Sequence, residues 1–241
     1  GSSPTGLAST VPILIQLNRI DEAYSNLQDA VTIASDNHLT LKDYGNKHKN
    51  NDNAYMAYLS NLIPKLPQED TEITSRMLHI GESHCLAFTN QIVSPFGTNA
   101  IVKSSLIKGA KAFHLSHKSK SNNFKYAFEK RINENLDNYE FIFLSFGEID
   151  CRADEGIVPY CRDHGHDIKM VSRKTAIDYL EWTTECLADH KNKLVFFGTP
   201  APFKSSDTHR PNHEQEDKDR LLAIETFNAT LSQECAKLNI L

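Results

Sequence analysis

"MLHIGESHC", Met77 to Cys85, decides how this chain is read. A short apolar run stops at Gly81, and an acid, a serine and a histidine follow at once. A brief apolar run closed by glycine fits a buried strand, and the polar residues after it fit the turn into a helix. Ser83 is then either a nucleophile at the strand end or the cap of the next helix. Serine is among the commonest N-caps. A serine at a helix start also meets exposed N–H groups that can stabilise an oxyanion.

The same pattern recurs downstream. "AIVKS" (100–104), "EFIFLSF" (140–146) and "KLVFFG" (193–198) read as strands, like "RMLHI" (76–80). Between and after them lie amphipathic stretches. "NFKYAFEKRINENL" spaces Phe124, Phe128, Ile132 and Leu136 at steps of four. "MVSRKTAIDYLEWTTECLADH" turns Ile177, Leu180 and Leu187 inward, and "KDRLLAIETFNATLSQECAKL" follows the last strand. Tyr179 and Trp182 lie on the second of these helices and are read as core packing. Nearly continuous apolar strands alternating with amphipathic helices predict an α/β fold, its parallel sheet covered on both faces. Working residues of such sheets collect at the carboxyl ends of the strands. Gly81–Ser83, Gly147–Arg152 and Gly198–Pro202 all fall there.

Upstream the period is helical. Residues 9–36 read as helix, with Ser9 and Thr10 as caps and Pro12 in the first turn. Ile20, Ala23, Leu27, Ala30 and Val31 form one apolar stripe. Residues 45–53 read as a polar loop, "AYMAYLSNLI" as a helix stopping before Pro64, and 64–75 as a linker. The expected organisation is a helical segment, 1–70, before an α/β domain, 75–241. The stretch from Arg19 resembles the second half of a tetratricopeptide repeat. One such unit cannot bury its own face, so it packs on the next domain or offers a surface to a protein partner.

The 241 residues carry a formal charge of −5, with basic residues scattered, which recommends neither nucleic acid nor an anionic membrane as partner. No apolar run approaches the roughly 18–20 residues of a membrane span. Five cysteines, odd in number and far apart, suit reduced thiols, and a cytoplasmic location is expected. Neither a P-loop nor a Gly-x-Gly-x-x-Gly is present, and no cofactor is expected. Cys161, His164 and His166 could supply zinc ligands, but their spacing matches no common zinc module. We read "CRADEGIVPYCRDHGHD" instead as a long insertion that shapes a substrate pocket, with no metal.

"IGESHC" after the first strand, "FLSFGEID" at the third and "FFGTPAP" at the fourth resemble the SGNH (GDSL-type) hydrolase superfamily. The resemblance covers roughly residues 75–241, by order and position of short blocks. It implies a flavodoxin-like three-layer α/β/α fold and acyl ester chemistry. It makes Ser83 the nucleophile, with its own N–H and that of Gly109 holding the oxyanion. Gly147-Glu148-Ile149-Asp150 stands where the family has Gly-x-Asn-Asp, and Ile149 cannot donate as asparagine does. Arg152 or a backbone amide would have to substitute, or Arg152 instead pairs with Glu148, Asp150 or Asp154. Asp150 would orient the turn. The family's Asp-x-x-His block has no match before "CAKLNIL", so it is expected beyond Leu241, with Asp207 and His209, or His213, as candidates inside the chain. His84 adjoins Ser83, and neighbouring side chains diverge at a helix start.

The expectation is a serine esterase removing an acyl, probably acetyl, group, from a small-molecule or glycan ester. The alternatives are an O-acyltransferase on a sugar hydroxyl and a non-catalytic binding module.

Overall fold

The computed structural model describes residues 10–15, 19–36, 59–65, 75–94, 97, 99–133, 136–201 and 213–240. The chain separates into two compact units: Gly1–Ser75 with Leu86–Leu106, and Arg76–Cys85 with Ile107–Leu241. Asp207 and His209 lie outside the described residues, as do most of the expected linker and the polar loop at 45–53.

In the first unit the N-terminal apolar stripe is buried as its period predicts. Residues 10–15 are helical, Arg19 is not, and α1 (Ile20–Asp36) follows. Val11, Leu14 and Ile15 are buried, as are Ala23, Leu27 and Ala30. Ile20 and Val31 flank that stripe, half-buried. Residues 59–62 are helical and continue as a 3₁₀ turn, Ile63–Lys65, so the helix runs through Pro64 instead of stopping before it. The fixed φ of proline suits a tight terminal turn. A two-residue strand, β2 (Ile92–Val93), pairs antiparallel with β3 (Ala100–Leu106). Two residues carry no readable period, which is why the sequence does not announce β2.

The second unit holds β1 (Ser75–Gly81, from Arg76 onward), α2 (Asn123–Ile132), β4 (Phe141–Ser145), α3 (Ile157–His164), α4 (Ile168–Cys186), β5 (Leu194–Phe196) and α5 (His213–Lys237). β1 and β4 pair parallel with Gly81 opposite Ser145, and β4 pairs parallel with β5. The five strands belong to one mostly parallel sheet in the order β2-β3-β1-β4-β5.

Leu78, Ile80, Ile142, Leu144 and Leu194 put alternate side chains into one core with Phe128 of α2, Tyr179 and Trp182 of α4, and Phe227 of α5. Edge-on ring pairs run through it, Phe146 to Tyr179 at 5.9 Å and Tyr179 to Phe196 at 5.5 Å. Tyr179 and Trp182 are thus core residues. The opposite face of β1 presents Met77 and His79, also buried. Burial pushes the His79 imidazole down to about 4, so it is neutral at physiological pH. One ring nitrogen of His79 lies 2.8 Å from the Ser145 hydroxyl.

The long stretch after β4 contains a helix, α3, that the sequence reading did not place. Pro159 is its third residue, and in a first turn the missing N–H removes no helical bond. Ile157, Val158 and Cys161 bury one face of α3 in the core.

Gly81 closes β1 where no side chain fits. A Cβ there would lie 2.2 Å from Ser145 Oγ and 2.7 Å from the Ser145 carbonyl oxygen. Because the carbonyl cannot rotate away, Gly81→Ala must push β1 from β4. We expect it to lower stability by about 1–3 kcal/mol, the usual range for overpacking, in urea denaturation followed by circular dichroism.

Candidate active site at the rim of the sheet

β1 and β4 pair parallel, so the turns that leave their carboxyl ends lie at one rim, where ligands of α/β proteins bind. Glu82-Ser83-His84 leaves β1 at this point, and Gly147-Glu148-Ile149-Asp150 leaves β4.

Ser83 is half-buried and begins a six-residue 3₁₀ stretch, Ser83–Phe88, where an α-helix was expected. Glu82 N–H donates to the Ser145 carbonyl at 3.2 Å, and Cys85 N–H to the Glu82 carbonyl at 3.0 Å. The Glu82 backbone therefore extends the ladder one residue past β1 and turns at once, which sets Ser83 on the rim.

Glu148 is the electrostatic centre. It is 7% exposed. Its Oε2 accepts from Arg152 Nε at 2.9 Å and lies 2.7 Å from the same guanidinium's terminal nitrogen. Its Oε1 accepts from Arg220 of α5 at 2.9 Å. The Glu148 N–H donates to Glu82 Oε1 at 3.2 Å, linking the two turns. Arg152 thus takes the Glu148 pairing, one of the alternatives the sequence left open.

Glu82 is 2% exposed, and its Oε2 is buried without a hydrogen-bond partner among the described residues. Burial raises its pKa, and Glu148 adds to the rise. His84 Nδ1 stands 3.7 Å from Glu82 Oε1, an ion contact longer than a hydrogen bond. That carboxylate raises the His84 pKa against the opposing effect of burial. Both shifts favour the protonated forms of an acid and an imidazole that stand side by side.

Asp150 is fully enclosed. Its oxygens accept the backbone N–H groups of Ala112 at 2.7 Å and Phe113 at 3.0 Å, tying the β4 turn to the 3₁₀ turn Ala112–Leu115. This is the orienting role its position suggested. Burial nevertheless pushes its pKa up to about 6, because two N–H bonds do not replace full hydration. Ile149 is buried and brings no donor. Gly109 is exposed at φ +73°, in a turn closed by Ala110 N–H on the Ile107 carbonyl at 3.1 Å. At the far rim Asn228 of α5 clamps Thr199 with two 2.8 Å bonds, accepting from its N–H and donating to its carbonyl.

Sequence reading missed Glu82, Arg220 and Asn228. The second and third sit on α5, about 70 and 30 residues from their partners, and no local pattern marks such pairs. Glu82 stands beside Ser83, but its burial and its bond to the Glu148 N–H depend on the neighbouring turn. His213 begins α5.

Among the described residues, Glu82, His84 and Glu148 bring ligand-type atoms within 4.8 Å of one another. They do not suit a cation. Both Glu148 oxygens already face guanidinium groups, leaving one carboxylate and one imidazole against the three protein ligands usual for catalytic zinc. Cys161, His164 and His166 do not converge either. The Cys161 thiol is in the core, whereas His164 and His166 are exposed beside Tyr160, with ring centroids at 4.7 and 5.3 Å.

Two outcomes are expected. Glu148→Gln leaves two guanidinium groups facing a neutral amide. Breaking a fully buried pair costs about 3–5 kcal/mol, and the 21–29% exposure of these arginines puts this loss below that range, read by urea denaturation. For Asp150 the folded value of about 6 exceeds the usual 3.8. The folded state therefore holds the proton more tightly, and the stability this carboxyl contributes is full below pH 3.8 and lost as pH rises through 6. Between pH 5 and 7 the wild type should lose stability relative to Asp150→Asn, measured as the difference between their denaturation midpoints.

No family model, curated protein or solved structure matches the chain.

Proposed function

We propose that this chain is a serine-dependent acyl ester hydrolase or O-acyltransferase, acting at Ser83. The observation that carries the reading is the position of Ser83. It follows the glycine-closed strand β1 at the carboxyl rim, half-buried, between Glu82 and His84 in the chain. The order β3-β1-β4-β5 within the sheet also supports the flavodoxin-like arrangement that the SGNH resemblance implies.

In this reading Ser83 Oγ attacks the ester carbonyl and a base takes its proton. The tetrahedral oxyanion is held by backbone N–H groups, those of Ser83 and Gly109 by resemblance. Collapse expels the alcohol and leaves an acyl-serine. Water then completes hydrolysis, or a sugar hydroxyl completes transfer. Two histidines compete for the base. His209, with Asp207, is favoured by its place in the sequence shortly after the Gly198–Pro202 rim segment. His84 is favoured by the Glu82 contact that raises its pKa.

A second reading, a binding module without catalysis, has its own support. The family's oxyanion asparagine is replaced by a buried Ile149, and the arginine that could substitute is held on Glu148. Losing one oxyanion donor costs about 10²–10³ in rate where it has been tested.

Intact mass after incubation with a fluorophosphonate separates the readings. A single adduct absent from Ser83→Ala establishes an activated serine. His84→Ala and His209→Ala then identify the base, whose loss should slow labelling at least tenfold. No adduct on the wild type, in a chain that melts cooperatively, would favour the binding module.

A further inference from the structure

The second unit contains a cavity of about 610 Å³ that Ser83 does not line. It lies against the same turn, since Asp150, two residues after Glu148, forms part of its wall. Its volume is within the range of small-molecule sites, and it exceeds what one acyl group would fill.

Its lining combines two features. Phe113, Tyr160 and Met170 are 56%, 46% and 57% exposed, and all three converge on this cavity. Large apolar side chains left open around one hollow mark a ligand surface. The three lysines of the lining share two carboxylates, Glu155 and Asp178. Lys111 pairs with Glu155 at 2.8 Å, and Lys174 with Asp178 at 2.9 Å. Lys118 reaches the same Asp178 oxygen at 3.7 Å.

This combination selects among ligands. A phosphate or carboxylate ligand would have to compete with Glu155 and Asp178 for the three lysines of the wall. An acyl chain would strip water from those ion pairs without replacing any hydrogen bond. A neutral sugar chain meets neither objection. Its hydroxyls give and accept hydrogen bonds, so ammonium and carboxylate side by side suit them. Its C–H faces lie on exposed rings such as Phe113 and Tyr160.

We infer that this cavity is a binding subsite for a neutral oligosaccharide of about two to three units, formed by Phe113, Tyr160 and Met170 with the Lys174–Asp178 and Lys111–Glu155 pairs. It deepens the acyl-ester reading by naming the non-reacting part of the substrate, and it rests on that reading only for supposing that the bound sugar carries the ester. Binding to remote groups of a substrate is a recognised source of catalytic advantage, because it holds the reacting bond in place.

The test uses the full chain carrying Ser83→Ala, so that binding is read without turnover. Cellobiose, maltotriose, xylotriose, mannobiose and N-acetylchitotriose are titrated by saturation-transfer NMR and calorimetry, beside octanoate and adenosine 3′,5′-bisphosphate. At least one sugar should bind, with dissociation weakened about tenfold or more in Phe113→Ala and Tyr160→Ala. Both side chains are exposed, so the two variants should keep the parent's melting temperature. Lys174→Ala provides a polar-side check with the same expectation. Absence of binding across the sugars, equal affinity in the aromatic variants, or tighter binding of octanoate or the bisphosphate would each overturn the inference. Sugar binding without fluorophosphonate labelling of the wild type would sink the serine reading and leave this one standing. Labelling without sugar binding would do the reverse.

Discussion

A buried carboxylate cannot remain charged without compensation, and the rim of this sheet is organised around that requirement. Glu148 draws Arg152 from its own turn and Arg220 from α5, and its backbone N–H reaches Glu82 on the neighbouring strand end. Each partner comes from a different part of the second unit. Satisfying one charge therefore fixes where β4 turns, how α5 approaches, and where the chain leaves β1. A hydrophobic substitute could match the packing, but it could not specify three directions at once.

The same arrangement constrains the chemistry. A guanidinium held by a carboxylate is a poor oxyanion donor, because its positive charge is already answered. In the proposed ester reading, with Ile149 buried and Arg152 held, the oxyanion would fall to backbone N–H groups. Backbone amides of a tight turn have the advantage of being fixed before substrate arrives, which is the property that makes oxyanion stabilisation effective. Burial raises the Glu82 pKa and the nearby Glu148 adds to the rise, while the Glu82 carboxylate lets the imidazole of His84 gain a proton more easily.

Much of the fold could be read from the chain because its signals are local. "MLHI" is buried on both faces and "FIFLS" alternates buried with half-buried residues, both as short apolar runs. The helices 123–132 and 168–186 bury Phe128 and Leu180 as their spacing indicates, whereas Ile177 is only half-buried and outside the core. α3 was hidden by Pro159, a residue that breaks helices except in the first turn, where it stands. The candidate site divides the same way. Ser83, Asp150 and Arg152 sit next to strand ends and could be named from sequence. Arg220 and Asn228 meet their partners only after α5 has folded back, and contacts between distant segments leave no period to read.

The cavity and the charged rim impose different physical demands, and the molecule keeps them apart. The raised pKa values of Glu82 and Asp150 come chiefly from burial, and they last only while water is excluded. A surface for a large polar ligand must instead stay open, with side chains that water can reach, as at Phe113, Tyr160 and Met170. Asp150 joins the two regions. Its carboxylate holds the N–H groups of Ala112 and Phe113, so the residue that helps order the β4 turn also sets the backbone of an aromatic residue in the cavity wall. A ligand in the proposed subsite that presses on Phe113 would therefore act on a backbone amide bonded to Asp150.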